Sequence, residues 1–365
     1  MDSRKLVKKV LMHEEVDRIP RTVWTLPGIE MFRKSELEEF LDKYPMDIGS
    51  PDVPYGASER FKGNPFVVGE YTDEWGCTWS VSEPGVIGEV RNNPISDWSE
   101  LDSYKIPWEL LEQADFSKVD ISCEKSDEFM LASTQTRPFE RMQFLRGTEN
   151  LLMDLAYAEK EIYRLRDMLH EFFIREMEMW ANTGVDGVTF MDDWGSQTSL
   201  LISPALWREF FKPLYKDYCD ILHSKGKFAF FHSDGNIESI YPELIEVGID
   251  AINSQLFCMD IERLGEKFAG KVTFWGEIDR QYVLPFGTPE DVRDAVKRVA
   301  KALIRKKRTG VIAQCEWGIL KQYLGNGIKS EQTDVILQKS CELHHPTLPL
   351  LFTAFNLYIA PYFNI

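Results

Sequence analysis

Polar and apolar positions along this chain follow two alternating rhythms. Short apolar runs, too brief for helices, recur at 19–24, 45–50, 128–134, 184–193, 227–232, 249–255, 271–279 and 309–316, and each reads as a buried strand. Between several of them lie longer stretches with helical spacing, at 159–184, 203–226, 237–248 and 288–307. Ser203-Pro204 and Thr288-Pro289 mark helix starts, and Gly184, Gly226 and Gly248 follow helix ends. Strands that alternate with helices predict an α/β fold with a parallel sheet. Eight of them predict closure into a (β/α)8 TIM barrel. The first twenty residues read as a short amphipathic helix.

Residues 51–127 interrupt this rhythm. Their Gly, Pro and Asn punctuation predicts a β-meander, with Trp75 and Trp79 on one strand face, followed by loop and short helix. The segment is read as an excursion over the barrel mouth, so that 1–341 form a single barrel domain. Residues 342–365 form an apolar, Pro-punctuated tail.

Composition narrows the picture. At 365 residues with 44% apolar positions, the chain is long enough for a barrel with an insertion and can bury a large core. A net charge of −17 argues against nucleic acid and against anionic membrane surfaces as partners. A small anionic substrate stays open, because a local site can differ in sign from the whole. The N-terminal segment lacks the features of a signal peptide, and no run approaches a membrane span. The six cysteines (77, 123, 219, 258, 315 and 341) contain no CxxC pair and are expected to be reduced thiols. Together these features give a cytoplasmic reading.

Barrel enzymes carry their reacting groups at the C-terminal ends of the strands. Those ends hold Asp47 and Asp52, Arg137, Asp192-Asp193, His232 and Asp234, Asn253 and Gln255, Glu277 and Asp279, and Cys315 and Glu316. His232, Cys315, Glu277 and Asp234 are metal-ligand types, and a catalytic zinc takes such a set while keeping one position open. Each also has an ordinary reading: a hydrogen-bonded histidine, a small buried thiol, a structural carboxylate. One of Asp192 and Asp193 is expected to cap the following helix. There is no G-x-G-x-x-G at a strand–helix turn, no P-loop, no G-x-S-x-G and no H-E-x-x-H.

The segments MDDWGSQTSLLISPALWREFFKPLYK, FFHSDGNIESIYPELIEVGIDAINSQ and VTFWGEIDRQYVLPFGTPEDV, with RPFERMQFLRGTENLL, resemble the uroporphyrinogen decarboxylase superfamily. Within it they are most similar to the corrinoid-dependent methyltransferase branch. The resemblance implies a (β/α)8 barrel and one of two activities. The decarboxylase holds its substrate carboxylates with arginines in a segment corresponding to 23–36, where this chain has Arg33 alone. The methyltransferase branch binds Zn2+ through a His-x-Cys pair and a later Cys. His232 matches the His, Asp234 stands in place of the first Cys, and Cys315 matches the last. That exchange shifts the site toward oxygen ligands and a more electrophilic zinc. The resemblance therefore implies Zn2+ on His232, Cys315 and one of Glu277 or Asp234, acting on a small methylated substrate, in the first instance a methoxylated one. It also implies a partner protein that carries the corrinoid. Asp193 would orient substrate or act through a water, with Asp192 beside it, and Arg137 would hold a substrate anion. Trp75 and Trp79 would line the lid or the corrinoid dock. A metal-independent decarboxylase and a non-catalytic binder remain as alternatives.

Overall fold

The computed structural model describes residues 1–304 and 310–317, and at 315–317 it describes the strand without side chains. In chain order the strands are β1 (Arg21–Thr25), β2 (Ile48–Gly49), β3 (Gly69–Thr72), β4 (Thr78–Val81), β5 (Glu89–Asn92), β6 (Phe129–Ser133), β7 (Gly187–Met191), β8 (Phe228–Ser233), β9 (Ala251–Ser254), β10 (Thr273–Trp275) and β11 (Val311–Trp317). Eight of them form one sheet in the order β1-β11-β10-β9-β8-β7-β6-β2, all paired in parallel. The two end strands meet at Asp47: its N–H donates to the Arg21 carbonyl at 2.9 Å, and its carboxylate accepts the Arg21 N–H at 3.0 Å. The result is the (β/α)8 barrel that the spacing predicted, and each predicted run overlaps one barrel strand.

The helices used below are α1 (Ser3–Leu11), α2 (Pro138–Arg146), α3 (Lys160–Ala181), α4 (Pro204–Phe210), α5 (Lys212–Ser224), α6 (Tyr241–Val247) and α7 (Pro289–Leu303). The single helix expected over 203–226 is two, α4 and α5, broken at Phe211. Pro213 sits in the first turn of α5 and has no N–H to continue the ladder from α4.

Helix α1 begins at Asp2, whose side chain accepts the Lys5 N–H at 2.8 Å. Its buried stripe of Val7, Val10 and Leu11 packs against Ile48, Phe129, Leu131, Phe230, Ala251, Trp275 and Ile312. These come from β2, β6, β8, β9, β10 and β11, so the barrel interior is a packed floor with α1 as its plug. Each large side chain there contributes on the order of 2 kcal/mol by leaving water.

The predicted meander is a three-stranded antiparallel sheet, β3-β4-β5. Trp75 departs from expectation. It lies in the turn between β3 and β4, where Asp73 accepts the backbone N–H groups of Trp75 (3.0 Å) and Cys77 (2.8 Å). That turn takes Trp75 off the strand alternation and buries it against Phe172 and Phe173 of α3. Trp79, on β4, stays partly exposed and donates its indole N–H to Asp73 at 2.9 Å.

Among the described residues no helix is long and apolar enough to cross a membrane. Cys77, Cys123, Cys219 and Cys258 are free thiols. The tail at 342–365 lies outside the described residues.

Candidate active site at the barrel mouth

Side chains two apart on a strand share a face. One step above the apolar floor residues Phe230, Ala251 and Ile312 stand His232, Asn253 and Gln314, all fully buried. They form a polar layer over the floor. Asn253 donates its amide to the Trp275 carbonyl at 2.6 Å and to Gln314 Oε1. Its Oδ1 therefore accepts, and His232 Nδ1 lies 2.6 Å away. His232 is held with its proton on Nδ1, which turns the Nε2 lone pair outward. There Nε2 faces Asp193 Oδ1 at 3.5 Å and Asp234 Oδ1 at 3.8 Å.

The two aspartates come from the loops after β7 and β8. Those loops touch backbone to backbone. Gly195 N–H donates to the Asp234 carbonyl at 3.0 Å, and Asp234 N–H donates to the Asp193 carboxylate at 2.8 Å. Gly235 has φ +75°, and a Cβ there would lie 2.1 Å from the Gly195 carbonyl oxygen. Only glycine permits this approach, and the approach places the carboxylates side by side.

Asp193, His232 and Asp234 each offer one donor atom within 4.8 Å of the other two. Burial and the neighbouring Asp193 carboxylate push the Asp234 pKa above the usual range. Burial works against the charged form of His232, but Asp193 and Asp234 outweigh it and raise its pKa. Arg280 pairs with Asp234 at 2.6 Å. One imidazole and two crowded carboxylates fit a divalent cation of the zinc type, which would displace the imidazole's proton on binding.

Asp192 is a different case. It is fully buried, and burial raises its pKa well above normal. Its carboxylate accepts the N–H groups of Phe139 (3.0 Å) and Glu140 (2.8 Å) and the Tyr215 hydroxyl. It caps the start of α2, an element earlier in the chain, and not the following helix expected for one of Asp192 and Asp193. Through that cap it sets the position of Arg137 and Glu140.

Two concavities meet at Glu140. One, of about 410 Å³, opens over Asp193 and Asp234 and includes Gln143, Gly195 and Gln255. The other, of about 250 Å³, lies under the meander and includes Tyr71, Glu74, Trp79, Arg137 and Phe144. Arg137 is buried, with Nη1 3.8 Å from Glu140 and Nη2 3.0 Å from Met191 Sδ.

The other candidates fall elsewhere. Asp47 precedes β2 and lies at the floor end, accepting Ser3 and paired with Arg18. Asp52 is exposed. Glu277 is buried outside the three-residue cluster, and burial pushes its pKa well up. Cys315 is in β11, next to Gln314, but its side chain lies outside the described residues. Arg33 pairs with Glu36 away from both concavities. The sequence reading gave no role to Glu140, Gln314 or Arg280. Gln314 carried a signal, a polar residue inside an apolar strand two positions beyond Ile312.

The uroporphyrinogen decarboxylase (URO-D) family matches residues 73–323. This chain belongs to that family. Among solved structures it is similar to a methyltransferase from Methanosarcina mazei, with a TM-score of 0.70 and 14% identity over 94% of this chain and 100% of that one. An endo-β-1,4-xylanase from Gloeophyllum trabeum aligns more loosely, with a TM-score of 0.42 and 12% identity over 85% of this chain and 86% of that one. No curated protein matches the chain.

Proposed function

We propose that this URO-D family member is a zinc-dependent methyltransferase. It moves a methyl group between a small methylated substrate, in the first instance a methoxylated one, and a separate corrinoid protein. The observation that carries this reading is the cluster of Asp193, His232 and Asp234, with the histidine's tautomer set by Asn253. Similarity to a methyltransferase from Methanosarcina mazei supports it. The metal-independent decarboxylase is disfavoured because Arg33, the sole arginine at 23–36, pairs with Glu36. A polycarboxylate without cations would be left uncompensated.

Of the two carboxylates that the sequence left open as ligands, Asp234 is proposed in preference to Glu277. Asp193, proposed at first to orient substrate, joins the ligand set, with Cys315 as a sulfur donor. Zinc bound there would supply Lewis-acid polarisation of the substrate's heteroatom. Asn253 keeps the His232 lone pair aimed at the site. Arg280 balances the charge of Asp234. Arg137 holds an anionic part of the substrate, and Glu140 sits between the two concavities. Transfer would break the bond between the methyl carbon and its heteroatom, which keeps the bonding pair and takes up a proton, while the nucleophile of the corrinoid protein would form the new bond to the methyl carbon. Trp79 stands at the meander where that partner would approach. Trp75 is too deeply buried to touch it.

Metal content of protein purified without chelator tests this reading, with His232→Ala alongside. Near-stoichiometric zinc that is lost in the variant supports it. Absence of zinc after reconstitution, or methyl transfer that proceeds without any corrinoid protein, overturns it.

A further inference from the structure

The cavity under the meander is not used by the metal cluster, and its walls are unusual. Tyr71 and Trp79 stack at 6.0 Å with only 12° between their planes, and Phe144 meets Trp79 edge-on at 4.9 Å. Phe61 adds a further ring at the rim, 6.4 Å from Tyr71. Three polar side chains share this space. Arg137 Nε, Glu140 Oε2 and Glu74 Oε2 are buried and have no hydrogen-bond partner among the described residues. A buried polar group without a partner is destabilising, so three of them around one apolar cavity mark a place built for a ligand.

We infer that this cavity binds an oxygen-substituted aromatic ring, with Trp79 and Phe144 against the ring and Arg137 on the oxygen substituent. This deepens the methyl-transfer reading and rests on it for which end of the ligand reacts. The volume of about 250 Å³ suits one ring with small substituents. Flat aromatic walls favour stacked or edge-on ring contacts over contacts with a saturated ring. An aromatic-walled pocket also suits an alkylammonium cation, but two of its three carboxylates already face arginines, Asp73 with Arg141 at 3.5 Å and Glu140 with Arg137 at 3.8 Å. The Arg137 guanidinium lines the pocket, and the Arg141 guanidinium lies 5.5 Å from the Phe144 ring, spending that ring's attraction for cations. Burial pushes the third carboxyl, Glu74, up to about 7, which weakens its attraction for a cation. The unsatisfied Arg137 N–H calls for an acceptor. Glu140 lines both this cavity and the one over Asp193 and Asp234, which places the proposed ring site next to the metal cluster.

The test is direct binding to the full-length, metal-free protein by titration calorimetry and saturation-transfer NMR. The probes are 4-methoxybenzoate, anisole, cyclohexanecarboxylate and tetramethylammonium. We expect 4-methoxybenzoate to bind at least tenfold more tightly than cyclohexanecarboxylate. Phe61→Ala at the exposed rim and Trp79→Leu should weaken it several-fold. Arg137→Gln should weaken 4-methoxybenzoate more than anisole. Circular dichroism and melting curves identify variants that have not folded, and Phe61→Ala keeps the test valid if Trp79→Leu is among them. Tetramethylammonium binding in preference to the ring, or no aromatic binding at millimolar concentration, overturns the inference. Because neither metal nor corrinoid protein is present, this outcome is separate from failure of the methyl-transfer assay.

Discussion

His232 Nδ1 lies 2.6 Å from Asn253 Oδ1, and this contact decides which ring nitrogen faces Asp193 and Asp234. Asn253 cannot turn over, because its amide nitrogen is held by the Trp275 carbonyl and Gln314. Replacing Asn253 with Leu removes the acceptor and frees the tautomer. Zinc affinity, measured against a competing chelator, should fall about 10–100-fold, the usual effect of losing a partner behind a metal-bound histidine. Unchanged affinity would mean that Asn253 has only a packing role.

Asp192 next to Asp193 gives a contrasting prediction. Asp192→Ala removes the cap of α2 and leaves two buried N–H groups and the Tyr215 hydroxyl without their acceptor. The loss of stability should be about 2–4 kcal/mol. Denaturant unfolding measures it. Asp193→Asn, by contrast, should change stability little and lower zinc affinity strongly. A reversed pattern would assign the roles the other way round.

Gly235→Ala tests the loop contact. With φ +75° and a Cβ 2.1 Å from the Gly195 carbonyl oxygen, the two loops must separate. The left-handed backbone alone costs about 1–2 kcal/mol, and separation moves Asp234 away from Asp193. Both thermal stability and zinc affinity should drop. Retention of full zinc affinity would show that the carboxylates do not depend on this approach.

Glu176 predicts a pH effect on stability. It is fully buried, and burial outweighs the hydrogen bonds from Tyr55, Gln135 and Thr136 to raise its pKa to about 7. The unfolded value is an ordinary 4.5. The folded state therefore binds the proton more tightly. The stabilising contribution is complete below about pH 4.5 and disappears as pH rises through 7. Across this window Glu176→Gln should flatten the stability profile by up to about 3 kcal/mol relative to wild type. Parallel profiles for the two proteins would show that Glu176 is ionised throughout.

Much of this was legible in the chain. Apolar runs and helical spacing specified eight strands and their parallel character, because burial on both faces of a parallel strand demands continuous apolar residues. His232 and Asp234 were picked out by lying where a strand ends. The position of Trp75 was not legible, because the Asp73 turn overrides strand alternation. One of Asp192 and Asp193 was expected to cap the helix that follows; Asp192 caps an earlier one, because a cap is a contact across space that sequence proximity does not reveal.

The sequence by itself determined the barrel, its parallel order and the strand ends that carry polar groups, because periodicity is local and burial enforces it. The tertiary structure alone decided that Asp193, not Glu277, stands with His232 and Asp234, and that Asn253 sets the histidine. It also decided that Arg137, Glu140 and Glu74 share one aromatic cavity. The reason is geometric. Neighbouring strands in a closed barrel bring together residues 20 or more positions apart, and a loop contact as close as that of Gly195 with Gly235 fixes distances that no spacing along the chain encodes.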